Sequence, residues 1–79
     1  MDIIEQIKFL TEINIQEIVM YIVEDENIEY DVALDEFYNS VTFSKLSDKE
    51  TGLYRESSAY VYELYKAENQ TGKFPHTDA

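Results

Sequence analysis

The chain has 79 residues, no cysteine, and 17 acidic against 6 basic side chains, so its formal net charge is −11. This composition excludes disulfides and thiolate metal sites, and it argues against direct nucleic-acid binding, which needs Lys and Arg to displace counterions. The charge disfavours an anionic membrane surface, and no apolar run approaches the ~20 residues of a membrane helix. No secretory signal pattern begins the chain. We therefore expect one small, soluble, cytoplasmic domain.

Residues 2–25 carry the pattern of a long amphipathic helix. Apolar side chains recur at three- and four-residue spacing from Ile4 to Ile22, and Asp2 is suited to cap the start. Asn14 and Glu17 match a capping box, which would divide the segment into two helices. Because no Gly or Pro supports a break, the sequence favours one continuous helix, which could be bent.

A second helix is predicted over residues 29–40. Its apolar stripe consists of Tyr30, Leu34, Phe37, Tyr38 and, just beyond, Val41. The segment that follows is predicted to be a compact connector with short helical turns.

In this connector Thr42 is expected to open one short turn that buries Phe43 and Leu46. Ser47 and Glu50 match a second capping box, and Gly52 is placed to end that turn in a left-handed conformation.

The third predicted helix starts after Ser57 or Ser58 and continues to about Asn69. Tyr60, Val61, Leu64 and Tyr65 share one side at helical spacing, so both tyrosines are assigned to the core. Tyr62 is expected to point outward, toward Lys66. The whole pattern predicts an all-α fold: a small three-helix bundle over residues 1–69, with a short helical connector between helices 2 and 3 and a flexible tail over residues 70–79.

Catalytic and metal-binding patterns are absent from the sequence. The single histidine, His76, lies in the predicted tail, where nothing would fix the geometry that a general base requires. The acidic loop after the first helix has no glycine and is too short for an EF-hand. We therefore predict a non-enzymatic protein with no catalytic residue, no cofactor and no dedicated metal site.

An acidic surface is the main candidate site. Seven carboxylates cluster around the predicted turn between the first two helices, and with the outward-facing Tyr62 they form the predicted partner-binding set: Glu24, Asp25, Glu26, Glu29, Asp31, Asp35 and Glu36. Such a surface would steer a basic protein partner toward the chain. The alternatives are a solvated face that only keeps the protein soluble, and a homodimer that completes the thin core.

Short motifs in residues 36–68 read Phe-Tyr-x-Ser, Leu-x-Asp-x-x-Thr-Gly-Leu-Tyr and Ser-x-x-Tyr-Val-Tyr. They fall on Phe37, Tyr38, Ser40, Leu46, Asp48, Thr51, Gly52, Leu53, Tyr54 and, approximately, on Ser58, Val61 and Tyr62. In these motifs the chain resembles a family of short acidic bacterial proteins of unknown function. Genes of that family often lie near toxin-like genes, so the resemblance implies an antitoxin or accessory role and supplies no catalytic residues.

Two functions are consistent with these features. The first is an interaction protein that binds a basic protein, with an antitoxin-like inhibitor as its sharpest form. The alternative is a nucleic-acid mimic that places carboxylates where a DNA-binding protein expects phosphates. A mimic needs acids along one elongated face, whereas an inhibitor needs a patch with an apolar centre.

Overall fold

The computed structural model describes residues 2–75, which contain helices and turns and no strand. The elements are α1 (Ile3–Glu26), α2 (Tyr30–Tyr38), α3 (Val41–Ser47) and α4 (Ser58–Thr71), with 3₁₀ turns at Lys49–Thr51 and Leu53–Arg55 between α3 and α4. The all-α prediction is confirmed. There are four α-helices instead of the three predicted, because the segment predicted as a single turn forms the full helix α3.

Helix α1 is continuous, as predicted. The carboxylate of Asp2 caps its start by accepting a hydrogen bond from the Glu5 amide at 2.9 Å. Asn14 does not cap a second helix. Its side-chain amide instead donates to the carbonyl oxygens of Tyr54 at 3.2 Å and Glu56 at 3.4 Å. The polar residue that suggested a break therefore ties α1 to the last 3₁₀ turn.

The core lies against the second half of α1. Ile18, Val19 and Ile22 are fully buried there against side chains of the other helices: Ala33, Phe37, Leu46, Val61, Tyr62 and Tyr65. The first half of α1 is covered far less, since Ile3, Ile4, Phe9 and Leu10 are exposed. Burial of apolar surface, the main stabilising contribution, is thus concentrated at one end of the longest helix.

Two side chains cap helix α3. The Ser40 hydroxyl accepts a hydrogen bond from the Phe43 amide at 3.0 Å. The Glu68 carboxylate reaches across from α4 and accepts bonds from the Val41 amide at 2.8 Å, the Thr42 amide at 2.9 Å and the Thr42 hydroxyl at 2.7 Å. Capping of this kind satisfies amides that a helix start leaves unpaired, and here it also joins α3 to α4.

The connector follows the prediction with one shift in register. Leu46 is buried as expected, while Phe43 is half-buried. Ser47 ends α3 instead of capping the next turn, so the cap is Asp48, whose carboxylate accepts from the Glu50 amide at 3.0 Å. Gly52 has a φ of 68°, which confirms the predicted left-handed stop.

Helix α4 begins after Ser57, whose hydroxyl accepts from the Tyr60 amide at 3.1 Å. It continues to Thr71 and ends at Gly72, which has a φ of 77°. The helix therefore passes the predicted boundary at residue 69 by two residues. His76 lies outside the described residues.

Candidate interaction surface

The seven predicted carboxylates surround the turn between α1 and α2, and we call this region the acidic corner. Asn27 ends α1 in a left-handed conformation with a φ of 55°, and α2 begins only three residues later, at Tyr30. All seven carboxylate side chains are exposed: Glu24, Asp25, Glu26, Glu29, Asp31, Asp35 and Glu36. The last turn of α1 contains no basic residue. Negative charge at a helix C-terminus opposes the helix dipole, so Glu24, Asp25 and Glu26 do not favour α1, whereas Asp31 lies in the first turn of α2, where negative charge is favourable.

Tyr62 is buried, so the prediction that it points outward is wrong. Its side chain is 7% exposed, whereas Tyr60, assigned to the core, is 44% exposed. The Tyr62 hydroxyl donates to the Asp25 carboxylate at 2.6 Å, and its ring lies 5.2 Å from the ring of Tyr21. Tyr62 therefore lies buried under the acidic corner, bonded to Asp25, and it exposes little surface that a partner could contact.

Helical geometry explains why the sequence predicts Tyr60 in the core and Tyr62 at the surface, the reverse of what the structure shows. Successive helix residues differ by about 100°, and Val61, Leu64 and Tyr65 define the buried direction. Tyr60 and Tyr62 flank that direction on opposite sides. Only the position of α1, which supplies Tyr21 and Asp25 on one side, decides which tyrosine is covered. The expected proximity to Lys66 is confirmed, since its Nζ lies 4.9 Å from the Tyr62 ring centroid.

Crowded carboxyl groups mark the junction of α1 with α2. The pKa of Glu26 is raised above its ordinary value by partial burial first, then by the charge of Glu36, and last by the charge of Asp25. The pKa values of Tyr62 and Tyr65 are raised by burial and by the neighbouring carboxylates. Within residues 2–75 the ion pair is Lys66–Glu63, at 2.9 Å, so no cation pairs with these acids.

The structure contains a groove between α1 and α2 that the sequence did not predict. It has a volume of about 250 Å³ and is lined by Glu12, Ile15, Gln16, Tyr30, Leu34 and Tyr38. Tyr30 and Tyr38, which belong to the apolar stripe predicted for this helix, are 44% and 48% exposed. Because α2 turns Ala33 and Phe37 into the core, the edge of its apolar stripe faces the groove. The signal for this groove in the sequence is the apolar stripe of α2, which is wider than one face of the helix.

Exposed carboxylates and exposed aromatic side chains lie on the same part of the molecule. Within residues 2–75, no three acidic or histidine side chains come together in a way that could hold a metal ion. None of the helices in the same part of the chain combines the length and the apolar character that crossing a bilayer requires. Exposed carboxylates beside exposed aromatic rings are groups that contact another molecule.

Comparisons of the chain with protein-family models, with curated proteins and with solved structures found no match. A function must therefore be inferred from the surface itself.

Proposed function

We propose that this chain is a non-enzymatic interaction protein whose acidic corner binds a basic protein partner. The supporting observation is the group of seven exposed carboxylates around one short turn, where partial burial and then the charge of Glu36 raise the pKa of Glu26. Within residues 2–75 no cation forms an ion pair with these acids, so the repulsion between their like charges is not offset. A Lys or Arg from a partner would relieve this repulsion, so the corner favours a cation more than an ordinary solvated face does.

The exposed side chains between the acids support a protein partner over the alternative, a nucleic-acid mimic. Val32 is 46% exposed and lies three or four residues from Glu29, Asp35 and Glu36, so it shares their side of α2. This apolar side chain interrupts the row of negative charge that a mimic would present, and it provides an apolar centre for a protein contact. With the resemblance of residues 36–68 to acidic proteins encoded near toxin-like genes, an inhibitor of a basic toxin is the sharpest form of this proposal.

Affinity capture from the native host, read by mass spectrometry at low and at raised salt, tests the proposal. We expect the wild-type chain to retain a basic protein, and we expect the simultaneous change of Glu24, Glu26, Glu29 and Asp31 to Lys to lose it. The matched control changes Glu5, Glu17, Glu50 and Glu56 to Lys, which are also exposed and alter the net charge equally.

The control variant distinguishes binding by the acidic corner from an effect of the overall negative charge. Retention of the partner by the control variant, together with its loss from the corner variant, supports the proposal. Equal loss from both variants would show that only net charge matters. Capture of no basic protein at low salt would contradict the proposal altogether.

A further inference from the structure

The groove between α1 and α2 has an apolar floor and aromatic walls. Ile15 and Leu34 are half-buried in its floor, and Tyr30 and Tyr38 form its walls. The Tyr38 ring packs on Phe43 with centroids 4.7 Å apart, so that wall is held in place before any partner binds. Rigid, partly exposed tyrosines beside an apolar cleft are the residues that most often dominate binding energy at protein interfaces.

Both rims of this groove are acidic. Glu12 lines the α1 rim. On α2, Asp31 and Asp35 each follow a groove residue by one position, so they project about 100° farther round the helix, beyond the tyrosine wall and toward solvent. No basic side chain lines the groove, and the nearest base along α1 is Lys8, one turn before Glu12. The groove thus combines apolar and aromatic side chains with the polar Gln16, and its edges are negatively charged.

The length of the groove matches about two turns of a helix. From Tyr30 to Tyr38 the wall extends about 12 Å along α2, since a helix rises about 1.5 Å per residue. This length accommodates apolar anchors at positions i, i+4 and i+7 of a bound helix. Lys or Arg side chains flanking those anchors would then reach Glu12 on one rim and Asp31 or Asp35 on the other.

We infer that this groove binds an amphipathic, positively charged helix of the partner, with its apolar side chains placed between Tyr30 and Tyr38. The inference rests on the proposed function and adds to it the place and the mode of binding. A second copy of this chain is a poorer occupant, because it would bring its own net charge of −11 toward the same acidic rims.

A synthetic peptide serves as the probe. It is an amphipathic helix of about 18 residues built from Leu, Ala and Lys, with leucines at the i, i+4 and i+7 spacing. A peptide of identical composition with a scrambled order keeps the charge and loses the apolar face. Fluorescence anisotropy gives the Kd of each for the full chain, and amide chemical shifts map where the amphipathic peptide binds.

Tyr30→Ala is the test variant and Tyr60→Ala its matched control, since both tyrosines are 44% exposed and only Tyr30 lines the groove. We expect Tyr30→Ala to weaken binding of the amphipathic peptide about tenfold and Tyr60→Ala to change it less than about twofold. We also expect the largest shifts in the unmodified chain at Tyr30, Leu34 and Tyr38, a result that does not depend on the folding of any variant.

Any of four results would contradict the proposal that the groove binds a helix. They are equal effects of the two variants, peptide shifts centred elsewhere, equal affinity for the scrambled peptide, and no binding of the amphipathic peptide. If changing the corner acids to Lys weakens peptide binding while Tyr30→Ala does not, the groove is not the binding site. The proposed role of the acidic corner is then retained. Failure of the proposed function is read separately, from the absence of a basic protein in the affinity capture.

Discussion

Glutamates have opposite effects at two places in this molecule. At the junction of α3 and α4, the Glu68 carboxylate accepts three hydrogen bonds from Val41 and Thr42, each between 2.7 and 2.9 Å. At the junction of α1 and α2, partial burial and then the charge of Glu36 raise the pKa of Glu26. The hydrogen bonds to Glu68 join two helices, whereas ionisation of Glu26 costs stability because partial burial and the charge of Glu36 disfavour it. The difference separates an acid that the fold needs from acids that are free to serve a partner.

Replacing Glu68 by Ala should have the largest effect on stability. Thr42 is fully buried, so its hydroxyl and its amide would lose their acceptor where water cannot replace it easily, whereas water can reach the Val41 amide. We expect a loss of about 2–3 kcal/mol in the free energy of unfolding, measured by urea denaturation. Glu63→Ala, which removes an exposed ion pair on the same helix, should cost less than about 0.5 kcal/mol. Equal losses for the two variants would contradict the structural role of Glu68.

Replacing Tyr62 by Phe should have an intermediate effect. It removes the 2.6 Å hydrogen bond to Asp25 and keeps the packing on Tyr21, so we expect a loss of about 1 kcal/mol. Tyr60→Phe changes an exposed side chain and is the control. An equal loss in both variants would mean that the hydroxyl bond to the acidic corner adds nothing.

The dependence of folding stability on pH above 10 provides a second test of the buried Tyr62 hydroxyl. Burial first, and then the nearby Asp25 carboxylate, raise the pKa of Tyr62 above its ordinary value of 10.0. Above pH 10 the unfolded chain therefore loses this proton while the folded chain keeps it, so stability falls as pH rises. Urea denaturation at a series of pH values should show a shallower fall in Tyr62→Phe than in the wild type. Identical slopes would argue against a buried, protonated phenol.

Replacing Glu36 by Gln should have the smallest effect and the opposite sign. It removes the like charge beside Glu26, so we expect a gain of about 0.5 kcal/mol at neutral pH, limited because water screens this exposed pair. In the wild type, protonation of Glu26 relieves the same repulsion. The gain should therefore be present above the raised pKa of Glu26 and shrink as pH falls toward its ordinary value of 4.5. A loss of stability, or a gain independent of pH, would show that the two carboxyl groups do not repel each other in solution.

Local signals predicted most of the helix boundaries. Asp2, Ser57 and Gly52 act where their side chain or their φ angle is needed by neighbours close in sequence. The acidic corner was also predictable as a cluster, because it follows from charges on either side of one short turn. The double capping of α3 was not, since Glu68 lies 26 residues from Thr42 in sequence. The same holds for Asn14, whose partners lie 40 and 42 residues away.

The sequence by itself determined the helical class, the charge and the apolar stripes, because each depends on residues within a few turns of one another. Only the tertiary structure decided which edge of each stripe was covered. The position of α1 buried Tyr62 and exposed Tyr60, and the orientation of α2 placed Tyr30 and Tyr38 beside a groove. A helix fixes the directions of its side chains relative to one another, but the neighbouring helices determine which of those directions face solvent.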